Sequence, residues 1–248
     1  MLKVKYFDDD KFVHSTTRDH LKAKVVSSVN AKHVLVLAPH PDDATFGCAG
    51  LLKHLSKEGA HIRVLYIFNG ASGNREGVVD SSLVVEREKE AFKASKIIDV
   101  KEVNFLRMKE GTKGKKLDEN ILEELKTHPL ELVLVPSGIE WHHDHQNVYE
   151  AFKKAFIRCK FRRPEGRNPD RVASGKKPEV WEYHVWGIGN PNIIFPIDKY
   201  VRYKNEAIKV FKTQLKVKKY DDAIMAMDEY VGKGLGVSKY AEGYSKFN

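Results

Sequence analysis

Two short apolar runs, HVLVLA at 33–38 and HIRVLYIF at 61–68, bracket a stretch with apolar residues at helical spacing, FGCAGLLKHLSKE at 46–58. Both runs are rich in Val, Ile and Leu, and both are short enough to be buried strands. Gly59 follows the helical stretch and supplies a stop, because glycine tolerates the left-handed conformation that ends helices. The segment therefore predicts a strand–helix–strand unit. Such units build parallel sheets covered by helices.

The alternation continues along the chain. A Gly- and Asn-rich loop at 69–77 precedes a charged amphipathic helix over 82–98 and a short strand at 102–106. A lysine-rich loop, 109–116, leads to a helix near 117–127. ELVLV at 131–135 reads as a further buried strand ended by Pro136, and a helix is expected over 146–158. Residues 161–178 are rich in Pro, Gly and basic side chains without periodicity, and they read as a long loop. Strands near 180–187 and 192–197, then helices at 199–217 and 219–231, complete the pattern. The Gly- and aromatic-containing tail is expected to dock on the body. We see no internal repeat and no linker, so residues 1–248 are expected to form one domain. The class is α/β, layered, with a mostly parallel central sheet flanked by helices.

Composition narrows the function. No run of about 18 apolar residues exists, and mean hydropathy is -0.47, so stable membrane insertion is not expected. The N-terminus carries three consecutive Asp and no apolar signal region. Cys48 and Cys159 are far apart in sequence and form no metal-binding pair, which fits free thiols in a reducing cytoplasm. The net charge of +9 reads as solvated faces or as a surface that attracts acidic ligands. No nucleic-acid-binding motif accompanies it, and no nucleic-acid partner is expected.

Two motifs carry chemistry. His40-Pro41-Asp42-Asp43 follows the strand at 33–38, and His142-His143-Asp144-His145 follows the strand at 131–135. In parallel sheets, sites form beyond the carboxyl ends of strands, where strand order reverses. The two loops, about a hundred residues apart in sequence, can converge there. Imidazole and carboxylate are good zinc ligands, and a catalytic zinc keeps one position for water. Two imidazoles and one carboxylate leave the site at net +1, which acidifies that water. A neighbouring carboxylate can take its proton, and a neighbouring imidazole can serve the leaving nitrogen or the oxyanion. Taken singly, either motif has a plainer reading: Asp42 or Asp43 as a helix cap, and HHDH as a solvated loop. Their joint placement after two buried strands favours metal. The strand enters PHPDDATFGCAG and not G-x-G-x-x-G, which argues against a dinucleotide-binding turn.

HVLVLAPHPDDATFGCAGLLKHL, with HHDHQNV downstream, resembles the PIG-L/LmbE-like N-acetylglucosaminyl deacetylase family. GNREG at 73–77, Arg87-xx-Glu90, FLRMKEG at 105–111 and NPNIIFPID extend the likeness over most of the chain. The resemblance implies a Rossmann-like fold and a zinc-dependent hydrolase, with one divalent cation per chain, that removes acetyl groups from N-acetylated amino sugars. It implies metal ligation by His40, Asp43 and His145. It implies Asp42 as general base, His142 as acid or oxyanion stabiliser, and Asp144 as a carboxylate that orients an imidazole. The substrate would be a small molecule or glycoconjugate, and a homo-oligomer would be in keeping with the family. One departure stands out: Ala44 replaces the usual Glu after the two Asp. That loss leaves the ligand set intact but removes a supporting carboxylate, and it motivates an alternative, a catalytically impaired sugar- or nucleotide-binding descendant.

Three further residues are candidates for substrate contact. Arg75 in the Gly-rich loop faces substrate hydroxyls or phosphate, or is simply a solvated cation. Trp141 stacks on a sugar ring, or is core. His184 points into the cleft, or is packed in the body. The histidines at 33, 54, 61 and 128 have no companion ligands in sequence.

Overall fold

The structure, a computed structural model, describes residues 3–6, 23–73, 78–127, 129–159 and 177–247. The first unit forms as the sequence predicts: β3 (His33–Ala38), α1 (Asp43–Lys57) and β4 (His61–Phe68), with Gly59 at φ 79° closing the helix. Before it come β1 (Lys3–Tyr6) and β2 (Lys24–Asn30). After it come α2 (Ser81–Ile97), β5 (Glu102–Met108), α3 (Lys115–Thr127), β6 (Leu132–Pro136), α4 (His143–Arg158) and β7 (Glu179–Tyr183). The chain continues with β8 (Ile193–Pro196), α5 (Val201–Ile208), α6 (Lys212–Leu215), α7 (Tyr220–Gly234) and β9 (Ala241–Lys246).

The strands form one sheet in the order β1-β2-β8-β9-β7-β6-β3-β4-β5. β3 pairs in parallel with both β4 and β6, and β6 pairs in parallel with β7. From β3 the chain builds outward through β4 and β5, then returns to β6 on the other flank of β3. Strand order therefore reverses between β3 and β6, where a crevice opens beyond their carboxyl ends.

The alternation of β3 explains its all-apolar sequence. Val34, Val36 and Ala38 join the cluster that includes Phe46, Leu51, Leu52 and Leu55 of α1. Leu35 and Leu37 join the opposite cluster, with Leu117, Ile121 and Leu125 of α3 and Val148 and Phe152 of α4. Each large apolar side chain so buried contributes roughly 1.5–3 kcal/mol. Gly47 lets α1 approach β7, since a Cβ there would lie 2.5 Å from the Tyr183 ring.

The structure departs from the sequence-based boundaries in several places: β1 has no predicted counterpart, and the strand expected at 180–187 ends at Tyr183. α1 and α4 begin three residues earlier than predicted, so Asp43, His143, Asp144 and His145 lie in first helical turns instead of in loops. The helix expected at 199–217 is two helices, α5 and α6, separated at 209–211. β2 is a strand that the pattern did not announce. The tail does dock, as β9, antiparallel between β7 and β8. Its buried Glu242 hid it. That carboxylate accepts from Lys204 Nζ at 2.9 Å and from the Gly50 and Leu51 backbone amides, while Lys204 also reaches Asp228 at 2.8 Å.

Candidate metal centre

The chain leaves β3 at Ala38, crosses the sheet edge through Pro39–Asp42 and turns directly into α1. The Asp42 carbonyl accepts from the Thr45 and Phe46 amides and starts the helix. This turn holds His40 and Asp43 face to face. Asp43 Oδ2 accepts from the His40 backbone amide at 2.8 Å and lies 3.2 Å from His40 Nδ1. On the far side of the crevice, α4 starts just beyond β6. His142 caps it, its Nδ1 accepting from the Asp144 amide at 3.2 Å. The first turn then delivers His145, whose Nε2 lies 3.1 Å from the same Asp43 Oδ2.

One carboxylate oxygen thus stands between two imidazoles from the two motifs. The His142 ring lies 4.9 Å from that of His40 and 5.2 Å from that of His145, centre to centre. One donor atom from each of His40, His142 and His145 falls within 4.8 Å of the others. Asp43 and His145 are fully buried. Neither nitrogen of His145, nor Asp43 Oδ1, has a hydrogen-bond partner; the 3.1 Å approach of His145 to Asp43 is not aligned as a hydrogen bond. An unsatisfied buried polar group costs about 1–3 kcal/mol. The orphaned atoms of one imidazole and one carboxylate, with the His40 ring against the same carboxylate, fit a divalent cation with nitrogen and oxygen ligands.

The surrounding groups set charge. Asp144 Oδ2 contacts His40 Nε2 at 3.0 Å, and its other oxygen accepts from the Gly111 amide at 2.7 Å. Burial opposes charge on His40, but hydrogen bonds to Asp144 and Asp43 outweigh it and lift the ring to about 10. Burial likewise opposes charge on Asp43, yet His145 and His40 hold it well below the usual carboxylate range. Burial, with the His40 and His145 rings beside it, lowers His142 to about 4. Asp42 pairs with Arg87 on α2, whose Nη2 donates to Oδ1 at 3.0 Å. Burial raises Asp42 while Arg87 lowers it, and the balance stays upward.

The structure brings together six of the nine sequence-predicted residues: His40, Asp42, Asp43, His142, Asp144 and His145. Trp141 is 67% exposed, not core; its Nε1 donates to the Trp186 carbonyl at 3.1 Å. Its ring lies 6.2 Å from Trp186, which meets Tyr220 at 5.0 Å, making an aromatic rim. His184 is buried, with Nε2 3.3 Å from Ser245 Oγ, and desolvation lowers it to about 4. Arg75 and His128 lie outside the described residues. His54 is a packed histidine between Val29 and Tyr200, and His61 is an exposed neighbour of Glu102.

Sequence reasoning gave no role to three residues that build the site's surroundings. Arg87 is buried, donates to the Gly70 carbonyl as well as to Asp42, and fills the space above Gly70 and Gly73. Glu90 accepts from the backbone and hydroxyl of Thr213, tying α6 to α2. Glu140, 3% exposed, stands behind His145. The available signal was an Arg and a Glu one turn apart on the inward face of an amphipathic helix, where charge needs a partner.

The PIG-L family model, described as GlcNAc-PI de-N-acetylase, matches residues 35–156, from β3 through most of α4. The chain is 25% identical over 219 residues to a probable N-acetyl-alpha-D-glucosaminyl L-malate deacetylase 2 of Bacillus anthracis, covering 82% of this chain and 92% of that one. It is 24% identical over 227 residues to the diacetylchitobiose deacetylase of Thermococcus kodakarensis, covering 86% and 82%. The fold matches the N,N'-diacetylchitobiose deacetylase of Pyrococcus horikoshii with a TM-score of 0.73 at 23% identity, over 88% of this chain and 84% of that one.

Proposed function

Because the chain belongs to the PIG-L/LmbE-like deacetylase family, we propose that it is a zinc-dependent hydrolase that removes the acetyl group from an N-acetylated amino sugar or its glycoconjugate. The observation that carries this reading is the set of orphaned, buried donors of Asp43 and His145 facing His40 at the switch point of the sheet. His40, Asp43 and His145 would hold one divalent cation, and this nitrogen–oxygen set suits zinc. When bound, the cation supplies Lewis acidity toward the acetyl carbonyl and acidifies a water molecule.

The chain's own residues do the rest. Asp42 accepts the proton of the attacking water. Arg87 occupies Oδ1 and fixes the carboxylate plane, so the other oxygen takes the proton. Water oxygen bonds to the acetyl carbon, and the former carbonyl oxygen takes the negative charge. His142 meets that oxyanion. Its Nδ1 accepts from the Asp144 amide, so the neutral ring carries its proton on Nε2 and acts as a hydrogen-bond donor. That donor geometry suits oxyanion stabilisation. Asp42 then delivers its proton to the nitrogen as the amide C–N bond breaks, giving acetate and a free amine. Asp144 orients His40. Trp141 offers an exposed aromatic face to a sugar ring, and Arg75 and His184 complete the proposed substrate contacts.

Ala44 is 1% exposed within the apolar cluster beneath α1. Its methyl group offers no ligand atom, so the proposed set of His40, Asp43 and His145 does not draw on this position. Among the described residues, no helix is long and apolar enough to cross a membrane. Both cysteines are free and buried, in keeping with a cytoplasmic setting.

The test is metal content together with acetate release from N-acetylglucosamine conjugates, for the wild-type chain and for Asp42→Asn. A rate loss of about 10²–10⁴-fold with metal retained is expected of the variant. Unchanged turnover in Asp42→Asn would defeat the mechanism. Stoichiometric metal with no turnover on a broad panel of N-acyl amines would favour the impaired binder.

A further inference from the structure

His145 is enclosed on all sides, and its two nitrogens face two different carboxylates. Nε2 looks toward Asp43 Oδ2 at 3.1 Å, and Nδ1 looks toward Glu140 Oε2 at 3.9 Å. Glu140 is itself held rigidly. Its Oε1 accepts from the Val185 amide at 2.7 Å, and the Trp186 amide bridges both of its oxygens at 3.3 and 3.2 Å. Its backbone closes a tight turn, with its amide donating to the Ser137 carbonyl and its carbonyl accepting from Gln146 Nε2 at 2.7 Å. The carboxylate cannot swing away without giving up these bonds.

We propose that Glu140 is a positioning residue that fixes His145 as the Nδ1-protonated tautomer and so presents the Nε2 lone pair to a divalent cation. A buried carboxylate attracts an N–H and repels a lone pair; Asp43 does this to Nε2 at 3.1 Å until a cation lies between them, so Glu140 decides the tautomer in the loaded centre. The other tautomer would aim the Nδ1 lone pair at Glu140 and place the Nε2 proton where a ligand electron pair is needed. At 3.9 Å the contact is longer than a hydrogen bond. A small approach would complete the bond once a cation engages Nε2 and shields it from Asp43. A ligating imidazole that gives its second N–H to a carboxylate is a general means of fixing ring orientation. The same carboxylate holds the Trp186 amide, and the Trp186 carbonyl accepts from Trp141. Glu140 thus ties one ligand to the aromatic rim. This role rests on the reading of His145 as a metal ligand.

Glu140→Gln separates tautomer control from packing. The amide oxygen can still accept from Val185 and Trp186, but its NH₂ then faces Nδ1 and favours the wrong tautomer. Zinc affinity, measured by competition with a chromophoric chelator, should fall about 10–100-fold in Glu140→Gln. It should fall less in Glu140→Asp, which keeps the charge. Equal affinity in folded Glu140→Gln and wild type would overturn the role of Glu140 while leaving the deacetylase reading intact. A wild-type chain with no affinity for zinc would instead sink that reading. Should Glu140→Gln fail to fold, long-range ¹H–¹⁵N spectra of zinc-loaded ¹⁵N-histidine wild-type protein decide. Protonation of His145 at Nδ1 is expected, and protonation at Nε2 would overturn the proposal.

Discussion

Arg87 Nη2 donates to Asp42 Oδ1 across 3.0 Å, and both side chains are almost entirely withdrawn from water. This ion pair joins α2 to the turn after β3. It also sets the pH at which Asp42 can accept a proton, because burial raises the carboxyl and Arg87 pulls it back. Removing the guanidinium should raise Asp42 further, so that a higher pH is needed to ionise it. In Arg87→Met, the acidic limb of the rate–pH profile should move upward, and the rate at pH 7 should fall at least about tenfold, with metal content unchanged. A profile that keeps its wild-type acidic limb would show that Arg87 does not govern Asp42.

A second buried ionic group carries stability and lies outside the proposed chemistry. Lys204 is fully buried and bridges Asp228 and Glu242. Breaking a buried pair by deleting one partner leaves uncompensated charge and costs about 3–5 kcal/mol. Lys204→Met should lose stability on that scale in urea denaturation followed by circular dichroism. A loss under about 1 kcal/mol would mean that the carboxylates rehydrate or take up protons at little cost.

His184 makes stability depend on pH. Desolvation lowers it to about 4 in the folded chain, against about 6.5 unfolded. Its contribution is present above the unfolded value and is lost as pH falls, because the unfolded chain then binds the proton that the folded chain refuses. Linkage gives a loss of about 2 kcal/mol between pH 7 and pH 5. Urea midpoints of the metal-free chain should fall over this interval, and His184→Gln should flatten the fall. An identical slope in the variant would assign the acid sensitivity to other groups.

The loop after β5 borders the centre through the contact of the Gly111 amide with Asp144 and that of the Ser72 amide with Glu110. Its Lys109 and Lys113 are exposed. A basic rim favours an acidic conjugate by electrostatic attraction, which salt screens. An N-acetylglucosamine conjugate that bears a carboxylate should therefore show a higher kcat/KM than a neutral N-acetylated disaccharide, and the advantage should shrink as ionic strength rises. Preference for the neutral disaccharide, or indifference to salt, would contradict this.

The first strand–helix–strand unit was legible because β3 and β4 are apolar on both faces and Gly59 marks the intervening stop. The two motifs were legible because each follows such a strand. The first turns of α1 and α4 were not, since Asp and His residues look like loop until their side chains acquire partners. β9 escaped notice because its buried Glu242 is satisfied only by Lys204 and the α1 backbone, partners far away in sequence. Glu140 was hidden for the same reason, its bonds running to Val185 and Trp186 on another segment.

The most direct test of the metal centre is calorimetric titration of zinc into metal-free wild-type chain and into His145→Ala, each checked for folding. One zinc per chain in the wild type, with affinity collapsing in the variant, is the predicted result. Wild-type protein that takes up no zinc, or a folded His145→Ala that binds it equally well, would contradict the account.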